Sequence, residues 1–170
     1  MRRYAGLALL GFSIATAAIA ADGSKTPEVS SVNPNEPACL KVPAADMEQF
    51  VGAPARIRET NNGFCSWKGS ISGAYVKVMY FKGESLGIPA GAERAYFDQG
   101  IEVIKAENKP GELVEIPALG ESAWGLKIAG NTTNFYSVYM FKNKDSITIM
   151  SNGVGYDATV NIAQLSASRM

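Results

Sequence analysis

The sequence predicts an α+β fold: a mainly antiparallel sheet of about six strands, with helices packed over it and one disulfide. Three observations lead there. Short β-prone runs are joined by hairpin signals, Asn61-Asn62-Gly63 and Asn143-Lys144, which favour antiparallel neighbours. Segments with helical apolar spacing precede, interrupt and follow those runs, so helices and strands must share one core. Finally, two cysteines sit behind an export-like N-terminus.

The N-terminus comes first in chain order. Arg2 and Arg3 form a basic start, Ala5 to Ile14 an apolar run, and Ala18-Ile19-Ala20 a small-x-small site. This is the pattern of a secretory signal over 1–20, cleaved after Ala20. Without a lipid-attachment cysteine beside that site, no stable membrane anchor is expected after cleavage. The expected location is periplasmic or secreted, in a bacterial setting. Residues 21–37 are polar and include Pro27, Pro34 and Pro37, so they read as a flexible lead. Residues 38–170 are the size of one domain. Cleavage would leave fourteen basic against sixteen acidic residues. That balance offers no concentrated basic surface and argues against nucleic acid as a partner.

Leu40 to Gly52 reads as a short helix, with Pro43 in its first turn, Met47, Phe50 and Val51 on one face, and Gly52 as its stop. "ARIRET" and "FCSWKG" then flank the Asn-Gly turn as a hairpin. "GAYVKVMYFKG" follows with Val76 and Val78 on one face and Tyr75, Lys77, Met79 and Phe81 on the other. Neither face is strongly polar, which places this strand inside the sheet. Pro89 to Asn108 carries Phe97, Ile101 and Ile104 at helical spacing, although Gly100 interrupts it and "GIEVIKA" could pair as a strand. Strands are expected at Ser122–Lys127, Asn134–Lys142 and Asp145–Ser151. A final helix is expected to be capped by Asp157, with Ala158, Ile162 and Leu165 inward.

Cys65 stands in "NGFCSW", a cluster similar to the surroundings of a papain-type nucleophile. The chain has no histidine, however. A thiolate–imidazolium pair, a Ser-His-Asp triad and His-containing zinc or haem sites are therefore excluded. No calcium loop, phosphate-binding loop or dinucleotide fingerprint appears, and no cofactor is expected. The even count and the compartment predict a Cys39–Cys65 disulfide, with Trp67 on the same sheet face as Cys65. Asn131-Thr132-Thr133 matches a glycosylation acceptor incidentally. The aromatics Tyr75, Phe81, Phe135, Tyr139 and Phe141 form the candidate binding patch. The competing reading is that helices cover both sheet faces.

Certain motifs recur in order: Cys39, then Gly52-Ala53-Pro54, then Gly63-Phe64-Cys65-Ser66-Trp67, then Leu119-Gly120-Glu121-Ser122-Ala123-Trp124. Together they resemble a group of small exported bacterial proteins and lipoproteins of unknown function. The resemblance implies a Cys39–Cys65 pair and an α+β fold similar to PsbP-like domains. It supplies no reaction. Gly120 is expected to serve backbone geometry and Trp124 packing.

These readings lead to an exported, non-catalytic binding or interaction domain acting on an envelope protein or a small ligand. The alternatives are a carboxylate-based envelope hydrolase and a structural or assembly accessory of the envelope.

Overall fold

The computed structural model describes residues 32–107, 111–128 and 135–170. The expected signal segment, the start of the lead, Asn108, Asn134 and the Asn131 acceptor motif lie outside the described residues.

The α+β class holds, with seven strands rather than six. The sheet is antiparallel throughout: β1 (Arg56–Asn61), β2 (Phe64–Lys68), β3 (Tyr75–Phe81), β4 (Gly111–Glu115), β5 (Ser122–Ile128), β6 (Phe135–Lys142) and β7 (Asp145–Asn152). Their spatial order is β1-β2-β3-β7-β6-β5-β4. The additional strand is β4, which pairs with β5 from Gly111↔Ile128 to Glu115↔Trp124. Two hairpin units thus meet where β3 pairs with β7, leaving β1 and β4 at the edges.

The hairpin turns obey their sequence chemistry. Asn62-Gly63 joins β1 to β2, and Gly63 has φ +86°, which only glycine adopts without strain. Asn143 and Lys144 both have positive φ, 52° and 69°, as a two-residue turn with right-handed strand twist requires. A β-bulge lies between Ile57 and Glu59, where β1 carries one residue more than β2.

Three helices, α1 (Pro37–Lys41), α2 (Ala44–Val51) and α4 (Tyr156–Ala167), pack on one sheet face. The expected single helix from Leu40 is two, because Val42 is extended and Pro43 stands at the N-cap of α2 rather than inside its first turn. Helix α1 starts at Pro37, within the expected lead. Asn33 N there donates to Thr60 Oγ1, and Glu36 accepts from Gly63 N. Met47 and Val51 are fully buried, and Phe50 packs beside them. Beneath the helices lie Val76, Val78, Val138, Met140, Ile147 and Ile149.

At the end of α2, Gly52 turns with φ +85° and Gly69 approaches so closely that an added Cβ would stand 1.9 Å from Gly52 O. Ser70 N and Ile71 N donate to Gly52 O and Val51 O, fastening the helix end to the end of β2.

The inward stripe of α4 keeps Ile162 buried and Ala158 against the core as expected, but it is wider. Its N-cap is Gly155, and Asp157 lies in the first turn without a capping bond. The fully buried positions include Thr159, Ile162, Ala163 and Ser166, while Leu165 is half-buried. The two polar side chains enter the core because they are satisfied. The Thr159 hydroxyl lies 2.6 Å from Ser151 Oγ and donates to Gly155 O, and Ser166 Oγ donates to Ile162 O.

Candidate functional site

Cys39 on α1 and Cys65 on β2 form a disulfide with Cα atoms 5.1 Å apart. Both residues are buried, so the bond is a staple between a helix and an inner strand rather than a reactive pair. Trp67 shares the core face with Cys65 and is also buried.

The opposite sheet face carries the candidate patch. Cross-strand register aligns Tyr75 with Asn152 and Phe135, Met79 with Thr148 and Tyr139, and Phe81 with Ser146 and Phe141. All five expected aromatics therefore share one face. Their environments differ, however, because α3 (Glu93–Glu107) lies over one end of it. Phe97 of α3 meets Phe141 with ring centroids 5.6 Å apart, Arg94 lies over the same ring, and Ile101 is the helix's buried anchor. Phe141 is consequently only 4% exposed and cannot belong to an open patch. Leu126 and Ser137 are buried on the same side.

Away from α3 the face opens. Phe64, Tyr75, Lys77, Met79, Phe81, Thr148 and Met150 are all half-buried. Lys77 Nζ sits 3.8 Å above the Phe64 ring, which holds a cation on the apolar surface. Phe135 and Tyr139 are half-buried too, and burial raises the Tyr139 phenol above its ordinary pKa. Sequence alternation placed Met79 with the aromatics of β3 but missed Met150 and Phe64 as members of the same surface, since only strand order brings β2, β3 and β7 side by side.

Gly120 precedes β5 and Trp124 lies on it. Gly120 adopts φ +67° where an added Cβ would lie 2.7 Å from Phe141 O, and the next amide, Glu121 N, donates to Phe141 O. Trp124 is half-buried on β5 with Lys105 Nζ of α3 4.2 Å from its ring centroid.

Two grooves lie elsewhere. One, of about 390 Å³, borders the start of α4 and includes Glu115 and Asp157 with Ile116, Tyr156 and Val160. Both carboxylates are exposed, and neither is held by a hydrogen bond or ion pair among the described residues. Burial raises the neighbouring Tyr156 phenol, whose ring meets Tyr136 edge-on and lies under Lys127. The second groove, of about 410 Å³, opens between the end of β2 and β1.

A part-buried polar cluster holds the end of the sheet near α1. The Tyr80 hydroxyl donates to Asp145, whose other oxygen accepts from Gly83 N, and Lys41 Nζ lies 4.3 Å over the Tyr80 ring. Burial lowers the Lys41 ammonium's pKa, with Asp145 opposing the shift. Lys41 Nζ also donates to Arg169 O, tying α1 to the turn that follows α4.

Among the described residues no group of three or more Asp, Glu or Cys could hold a metal ion, and no helix is long and apolar enough to cross a membrane. No protein-family model matches the chain, and no curated protein or solved structure matches it significantly.

Proposed function

We propose that this protein is an exported binding domain without catalytic chemistry of its own, whose occupant lies on the part of the sheet face that α3 leaves open. One observation carries the reading. Helices α1, α2 and α4 pack on one face, whereas on the other α3 covers only the β5–β6 end. The uncovered remainder presents Tyr75, Met79, Phe81, Met150 and Phe64, a contiguous apolar and aromatic surface with a central lysine. Aromatic side chains offer large contact area at low conformational cost, and flexible methionines adapt to partners of varied shape. A periplasmic location fits the disulfide, the signal-like start and the resemblance to exported proteins. The absence of histidine and the unheld carboxylates support a non-catalytic role.

Comparing captured species between variants tests the proposal. Immobilised oxidised protein is exposed to envelope extract, with Tyr75→Ala/Met79→Ser as the face variant and Tyr96→Ala on the exposed side of α3 as the control. The expected result is saturable capture lost in the face variant and kept in the control. Equal capture by all three proteins, or turnover that depends on Glu115 and Asp157, would overturn it.

A further inference from the structure

The β1–β2 edge holds a second feature, independent of the aromatic face. Three cations, Arg56, Arg58 and Lys68, line one groove of about 410 Å³, and no acidic side chain lines it. All three are exposed, and among the described residues none has an ion pair, hydrogen bond or aromatic partner. Glu59, the nearest acid along β1, pairs across with Ser66 and stays outside the lining.

The strand register makes this arrangement costly. Arg56 lies directly opposite Lys68 in the ladder, and like charges at such positions repel. An edge strand often carries charges that discourage pairing with other chains. That accounts for an arginine on β1, but not for Lys68, which stands opposite it on the inner strand β2. Arg56 and Arg58, alternate residues of β1, line the same groove, and the bulge leaves Arg58 without a partner on β2. Bulges are common next to functional sites.

We propose that this groove binds a phosphomonoester, with the phosphoryl group held by Arg56, Arg58 and Lys68. Guanidinium forks match tetrahedral oxyanions, and the dianion of a phosphoryl group offers oxygens to three separate donors. A monocarboxylate brings one charge and two coplanar oxygens, enough for a single arginine. The Ser70 hydroxyl, which has no hydrogen-bond partner among the described residues, adds a fourth donor. Pro54 and Ile57 supply apolar wall for an organic substituent, and the volume falls in the small-molecule range of about 300–1,000 Å³. The ligand's charge also relieves the Arg56–Lys68 repulsion, so binding and local stability are coupled.

The test titrates phenyl phosphate, inorganic phosphate and benzoate into the oxidised protein at low ionic strength, read by amide and arginine side-chain NMR shifts. Phenyl phosphate is expected to saturate in the millimolar range, to shift residues 56–58 and 68–70, and to weaken with added salt. Arg56→Gln/Arg58→Gln/Lys68→Gln should weaken it at least about tenfold, whereas Lys127→Gln, over the Tyr156 ring, should leave it unchanged. Without ligand, Lys68→Gln should raise Tm by about 1–3 °C through removal of the opposed charge. No saturable binding of either phosphate compound, equal binding by the triple variant, or benzoate binding as tight as phenyl phosphate would each overturn the assignment.

Discussion

Breaking the Cys39–Cys65 bond has a calculable consequence. The two residues are 26 apart in sequence, so the bond closes a loop of about 27 residues. Loop-closure entropy then gives about 3.5 kcal/mol of stabilisation by restriction of the unfolded chain. At about 2.1 cal/mol/K per residue, a body of about 130 residues has an unfolding entropy of about 0.27 kcal/mol/K. Dividing the two gives a Tm loss of about 13 °C. Because Cys65 is fully buried and Cys39 nearly so, the variant of choice is Cys39→Ala/Cys65→Ala, which adds no buried hydroxyl. Thermal unfolding by circular dichroism, compared with wild type in oxidised and reduced forms, measures the loss. Reduced wild type should fall close to the double variant. A Tm loss below about 4 °C in both would refute the reasoning, because the bond would then constrain a segment already ordered in the unfolded state.

Other perturbations probe the remaining joints of the fold. Gly69→Ala should destabilise by about 2–3 kcal/mol, since its Cβ would meet the backbone oxygens of Gly52 and Val51, which cannot move without opening the end of α2; denaturant midpoints measure this. Gly100→Ala should instead stabilise by about 0.5–1 kcal/mol, because it lies inside α3 with open space around it. A loss on that substitution would contradict the helix. Burial first, and then the hydrogen bond to Asp145, raise the Tyr80 phenol well above its usual pKa. The unfolded chain therefore releases this proton near pH 10 while the folded chain keeps it, so stability intact below about pH 10 declines above it. Tyr80→Phe should flatten that alkaline decline by about one proton, read from denaturant midpoints across about pH 9–11.

Much of the fold was legible because local chemistry and burial agree. Val76 and Val78 alternate against Tyr75 and Lys77, and the central strand they predict is β3. The Asn-Gly and Asn-Lys steps are the turns they appear to be. Strand β4 escaped notice because Gly-Glu-Leu-Val-Glu is short, acidic and only half covered, and edge pairing with β5 rather than hydrophobic alternation holds it. The stripe of α4 was legible only in part, because Thr159 and Ser166 enter the core through hydrogen bonds that periodicity does not show. The aromatic surface was legible strand by strand. Its partial cover by α3 was not, since nothing in Phe97 or Ile101 says which face they meet. The cations of the β1–β2 groove drew no reading from the sequence, because only the pairing of Arg56 with Lys68 across the strands places them together.

The open sheet face is the surface on which this protein is proposed to bind. Site-specific photo-cross-linking in the living cell tests it most directly, with a benzophenone side chain placed at Tyr75 or Met79 and, as control, at exposed Gln164 on α4. Discrete adducts, identified by mass, are expected from positions 75 and 79 and none from 164. Adducts from position 164 with none from 75 or 79 would contradict it.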